Sequence, residues 1–472
     1  MNGMHMLLRR GRLALVVCGA VLAGAAACTD DAPEGSETPG TDDVDSGTPD
    51  AIRPSTCAPV TGEGTKHSGN LETGQETWTA AASPHVIDFP VTIREGETLT
   101  IEPCAVVRIR KDMGILVQGT LVAEGAEGSP ITIERADAND PWRNIETRET
   151  ATVRLAHATI EGGGARGNNR PDSMAMLDVR GDVDLPPAGK VHLDHVTLSG
   201  SASVGLILRE AGALTATSTD LTITGGANAP VRSWANLVGS IPSGRYTGNE
   251  SDEILIDGMG SRDAIKQDMT LANRGVPYHV LGAEVLVGDT SAEGKPKATL
   301  TIEAGVTVRF AKGSRLAMDA YKTDKPATGA LRAVGTEAQP IVFTSAEATP
   351  APGNWVGLTF KGTPDANNRI EHAKIAYAGG DSGISSYDCP NPDKASFSNY
   401  GAIIVYGGRP ASAFVTHTSF EQSAGDGIVR GWTGEVVDFL PTNSFAGMAL
   451  CNQSYPKPVS TTCPNPPPCP KN

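Results

Sequence analysis

TLTIEPCAVVRI, residues 98–109, and TLTIEAGVTVRF, residues 299–310, are one phrase written twice. In both copies apolar and polar residues alternate. Leu99, Ile101, Val107 and Ile109 fall on one side, and Thr98, Thr100 and Arg108 on the other. A period of two held for three to five residues describes a short strand with one buried face. The breaks, Pro103-Cys104 in one copy and Ala304-Gly305 in the other, describe sharp turns.

The repetition extends outward. LVAEGAEGSPITIE (121–134) matches LRAVGTEAQPIVFT (331–344), and LAHATIEGGG (155–164) matches IEHAKIAYAGG (370–380). VRSWANLVGSIP (231–242) matches VRGWTGEVVDFLP (429–441), and SPHVI (83–87) matches VPYHVL (276–281). The order is kept throughout, so the body is expected to be two tandem copies of one unit, 57–247 and 248–450. No capped helical stripe occurs beyond residue 28. With 39% apolar and only 5% aromatic residues in a chain of 472, the core must be built from aliphatic side chains.

Many very short one-faced strands favour a coiled solenoid over a sandwich. The run TLTIEAGVTVRF, then a strand, a Gly turn, QPIVFT and NWVGLTF resembles the right-handed parallel β-helix (pectin-lyase-like) repeat proteins, in particular the bacterial surface lipoproteins of that class. The expected fold is therefore all-β: a right-handed parallel β-helix of two duplicated units, up to about 16 coils and 75 Å tall at the usual strand spacing.

The N-terminus reads as an address. Arg9, Arg10 and Arg12 precede the apolar run Leu13 to Ala27, which ends in three alanines before Cys28. This is the pattern of an export signal over 1–27, and it resembles a bacterial lipoprotein signal with Cys28 as the lipidated residue. Plain secretion with cleavage near Ala27 is the other reading. Residues 29–50 hold eight acids and no base, so 28–56 is expected to be a disordered acidic tether. The implied location is the outer membrane or cell surface, with the lipid bilayer as one partner. A net charge of −15 without any Lys/Arg-rich run argues against nucleic acid.

Six cysteines remain for the body. An even set in an exported chain suggests disulfides. Cys57 is expected to pair with Cys104. Cys389, Cys451, Cys463 and Cys469 are expected to pair among themselves, with 451–472 as a Pro/Cys-rich cap. No cysteine or histidine spacing indicates a metal site.

A frame of apolar-x-His-x-x-apolar places His157, His195, His372 and His417 at one point of the coil, with Asp220 at an equivalent spot. One reading is a metal-binding row. The reading adopted is a turn ladder, in which each side chain stacks on the next coil. Trp142 and Trp355 occupy matched places, as do Trp234 and Trp432. The tryptophans could pack the coils or stack on sugars. The pairs Arg232/Trp234 and Arg430/Trp432 are the binding candidates, because V-R-x-W sets a charge and a ring on one strand.

The resemblance also brings lyases and hydrolases into view. The Asn-Thr-Asp and Gly-His-Gly elements of the hydrolases are absent, and Asp-Asp occurs only in the tether. No acidic group at coil spacing beside an Arg or Lys is evident, so no catalytic residue is assigned. Ca²⁺ would enter only with a lyase activity, and no other cofactor is expected. The function expected is a non-catalytic surface protein that binds glycan, matrix or a surface protein. A polysaccharide lyase or glycoside hydrolase and a purely structural stalk are the alternatives.

Overall fold

The computed structural model describes residues 56–165, 174–385, 387–391 and 399–470. The expected signal, Cys28 and all of the tether but Thr56 lie outside these residues. The named strands pair in parallel throughout, in one sheet of 24 strands and two of five. This is a parallel β-helix. Its strands bury alternate residues as the sequence pattern predicts: Thr98–Ile101, Val106–Ile109 and Thr307–Phe310 each bury their second and fourth positions. Most of the buried side chains join into one core running from Trp78 to Phe439, with two small clusters, Ala175/Val204/Ile207 and Ala264/Leu286/Ala317, beside it.

Each coil of the N-terminal half has three faces. The first is built from Gln75–Trp78, Thr98–Ile101 and Thr120–Glu124, continuing through Thr152–Glu161 and Ala188–Ser199 to Gly212–Leu214. The two long strands bend in mid-course, so that their second halves lie on the second face with Ile131–Arg135 and Thr219–Thr224. The third face stacks Ile115–Val117, Ile145–Thr147, Ala175–Arg180, Val204–Arg209, Val231–Ser233 and Ile254–Ile256.

The bends are made by residues in the left-handed backbone region. His157 (φ 44°), His195 (φ 52°) and Asp220 (φ 48°) turn successive coils of the first half, and His372 (φ 47°) and His417 (φ 50°) do so in the second. Non-Gly residues enter this region rarely, Asn, Asp and His more readily than others. A side chain at such a point projects from the corner, clear of both sheets.

The two halves are not stacked face on face. The second face ends at Gly244–Arg245, which pairs with Leu221 and Thr222. Buried Tyr246 then closes the coil by donating its hydroxyl to Pro242 O (2.7 Å). The third face does not end. It runs on through Tyr278–Val280, Thr307–Phe310, Ile341–Ser345 and Ala373–Ala376 to Ser419–Glu421 and Ser444–Ala446. A new face opens at Met259 and Ile265, whose bridges lead to Glu284–Val287 and then Arg315–Met318, Gly357–Gly362, Gly401–Gly407 and Asp426–Gly431. The first face is carried across the junction by the short 3-10 turn Val238–Ser240, on which Met269 of Met269–Leu271 packs. Thus Val106–Ile109 and Thr307–Phe310, matched in sequence, stand on different lines of strands.

The junction is pinned by Asp263, fully buried, whose carboxylate accepts the amides of Ala235 (3.0 Å) and Met259 (2.7 Å). Burial pushes its pKa up against those two amides. Disulfides join Cys57 to Cys104, Cys389 to Cys463 and Cys451 to Cys469. The third-face line holds fourteen strands from Thr65–Asn70 to Ser444–Ala446, a stack roughly 60 Å tall at 4.8 Å per strand. This lies under the upper figure of about 75 Å read from the sequence, which loops that leave the coil were expected to lower.

Candidate binding groove

The first face of the C-terminal half carries an outward row in strict register. Thr270 pairs with Thr301, Thr301 with Arg332, and Arg332 with Arg369. Strand alternation sends Leu271, Ile302 and Ala333 inward and leaves these polar residues outside. The row is the floor of a groove. A hollow of about 380 Å³ lies over Thr270, Thr299, Thr301 and Arg332. It shares Asp268, Met269 and Thr270 with a larger one of about 850 Å³ at the junction. The larger hollow is roofed by the 183–187 segment, where Val183 and Leu185 are 51% and 60% exposed. On its wall, buried Asn236 Oδ1 has no hydrogen-bond partner among the described residues.

The charges along the groove differ in their commitments. Arg369 is ion-paired with Glu371. Lys297 is ion-paired with Asp365, and Asp268 Oδ1 accepts the Thr299 amide (2.8 Å). Arg332, exposed at mid-groove, has no ion pair among the described residues. Asp184 and Asp268 both line the larger hollow. Sequence reading missed the whole row, because which residues stack across coils is not encoded in the local alternation. Equal numbers of residues per coil would have aligned them, but the coils here are unequal.

The V-R-x-W candidates do not form an exposed binding strip. Trp234 is 6% exposed and Trp432 is 1% exposed. Arg262 lies over the Trp234 ring at 5.3 Å, and the Trp432 indole donates to Glu435 O (3.0 Å). Arg232 reaches Asp257 (2.6 Å), and buried Arg430 donates to Ser454 O (2.5 Å) and Val437 O (3.1 Å). Desolvation drops the Arg430 pKa to about 10. The reason is positional. Each tryptophan follows its strand at the corner, where a large ring fills the angle between two faces. Trp142 and Trp355 stand just ahead of a strand in each half and are fully buried too, donating to Glu161 O (2.8 Å) and Ala376 O (2.9 Å).

Acids at coil spacing beside arginines do exist, against the sequence reading. Glu146 pairs in register with Asp178 on the next coil. Asp178, 1% exposed, receives the Arg209 guanidinium (Nε to Oδ1, 2.9 Å), and Arg180 lies between the two acids (3.4 and 3.5 Å). A carboxylate so buried and so fully bonded staples coils together and offers no lone pair to a substrate. The signal was lost because a strand with polar residues at alternate positions looks the same whether its acids face water or arginine.

The histidine row stands as stacked pairs: His157 on His195 (centroids 4.7 Å, planes 16° apart) and His372 on His417 (5.1 Å, 16°).

Residues 265–387 match the family model of the pectate-lyase-like β-helix domain. That match begins at the junction and covers the groove's row from Thr270 to Arg369. No curated protein and no solved structure matches the chain. Three disulfides in a β-helix suggest a chain that matures outside the cytoplasm. Among the described residues no helix is long and apolar enough to cross a membrane.

Proposed function

We propose that this is a non-catalytic surface protein, held to a membrane through lipidated Cys28, whose first-face groove binds an extended glycan. The observation that carries the reading is the Thr270–Thr301–Arg332 row. It offers hydroxyls and one uncommitted guanidinium at the 4.8 Å step of the coil, along an open channel. Hydroxyl-lined floors suit sugar hydroxyls, and Arg332 suits a carboxylate or sulfate on the chain. The exposed aliphatic roof at Val183 and Leu185 suits the apolar face of a sugar ring at the groove's end.

A panel of neutral and acidic polysaccharides, with retention and new chain ends scored in the same wells, tests this. Retention of an acidic polymer without new ends is expected, weakened at least tenfold in Arg332→Ala. Retention unchanged by that substitution refutes the groove. A second reading is hydrolysis by Asp184 and Asp268, which line one hollow. New chain ends, lost in Asp268→Asn, would replace the binding reading with it. For the anchor, Cys28→Ser is expected to release the protein from the membrane fraction.

A further inference from the structure

We infer that the two stacked histidine pairs are two divalent transition-metal sites, one in each half of the molecule. His157, Asp194 and His195 each bring a ligating atom within 4.8 Å of the other two, and so do Glu371, His372 and His417. Two imidazoles and one carboxylate form a ligand set for zinc-like ions, with a coordination position left for water.

A turn ladder alone requires only that something stack at the corner, as Asp220 shows by following His195 on the next coil. It does not require a carboxylate beside the ring. Yet both pairs have one, and the two halves obtain it differently. In the first half Asp194 precedes the histidine of the later coil, and its Oδ1 lies 2.6 Å from His195 Nδ1. In the second half Glu371 precedes the histidine of the earlier coil and reaches across to His417 Nδ1 at 3.8 Å. Asp220 Oδ2 lies 3.3 Å from His195 Nε2, on the other nitrogen of the ring, and stands outside the three-residue group. The same three-ligand chemistry thus arises from opposite coils and from acids of different length.

The corner backbone holds the α-carbons of each pair one strand spacing apart. The rings stand out from the sheets, and His195 and His417 are each 53% exposed. Each ring therefore has room to swing a nitrogen to within the usual 2.0–2.1 Å of one ion. A metal there would clasp one coil to the next.

The test uses the untagged full chain, stripped with chelator and dialysed against Zn²⁺, with bound zinc counted by elemental analysis. Two ions per chain are expected. His195→Asn and His417→Asn are expected to retain one each, and the double variant none. Asparagine tolerates the left-handed backbone, so the corners keep their shape, which circular dichroism of the metal-free variants checks. Co²⁺ substitution is expected to give tetrahedral visible bands that vanish in the double variant. Wild-type protein without zinc, a double variant that keeps two ions, or loss at only one pair would each overturn the proposal.

Discussion

At the scale of single residues, the corner histidines show how a local constraint writes itself into a sequence. The frame around His157 was legible because the apolar rhythm on both sides fixes where the bend must fall. What the frame does not state is the backbone geometry. At φ 44°, a β-branched side chain clashes with its own carbonyl. His157→Val is expected to cost about 1–3 kcal/mol in denaturant unfolding of the metal-free protein, and His157→Asn much less. A second histidine cluster was not anticipated. His67 Nε2 and His85 Nδ1 share a hydrogen bond (2.9 Å), His85 Nε2 contacts Thr79 O (2.9 Å), and Trp78 stacks on His67 at 4.1 Å. Burial, helped by His85, depresses His67 to about 4, and burial lowers His85 as well, although nearby Glu76 opposes both. The unfolded chain therefore takes up protons first as pH falls. The pair's contribution to stability is complete above about pH 6.5, declines from there toward pH 4, and changes no further below it. A melting temperature constant from pH 7 to 4, or a decline that survives His67→Phe and His85→Phe together, would refute that linkage.

At the scale of elements, strands and turns were readable and their partners were not. The alternation in Thr98–Ile101 and Thr307–Phe310 is a property of each strand alone. The line of strands that each joins depends on how many residues every intervening coil spends on its loops. The change of faces between Gly244 and Ile265 is invisible for that reason. The tryptophans were ambiguous for another: a ring beside the end of a strand fills a corner or faces solvent according to the adjoining turn. Trp355 stacks on Phe310 (4.2 Å, 4°) with no exposure, so Trp355→Ala is expected to destabilise by about 3–5 kcal/mol. Asp263→Ala leaves two junction amides without their acceptor. It is expected to cost about 1–3 kcal/mol and to raise hydrogen exchange at Ala235 and Met259 first.

At the scale of the whole molecule, the duplication visible in sequence became one core with a change of faces, and the six body cysteines closed its two ends. The pairing Cys57–Cys104 was legible because the remaining four cluster near the other terminus. How those four pair depended on the path of 451–470, which no strand pattern marks. Alkylation of the unreduced, unfolded chain is expected to find no free thiol in the body. Reduction is expected to lower the melting temperature, the bridges contributing about 3–4.5 kcal/mol each by the loop-entropy estimate for separations of 47, 74 and 18 residues. An unchanged melting curve under reductant would mean the bridges carry no load.

Load is meant literally for the first of them. Cys57 is the second described residue, and its bridge leads to Cys104. A pull on the chain ahead of Thr56 therefore passes through the sulfur bridge into the stack at Cys104. The intervening segment is short-circuited, and roughly 150 Å of slack that it would release on unravelling is withheld. Under shear the β-helix is gripped from inside its second coil. Unwinding by such a pull has to begin beyond Cys104.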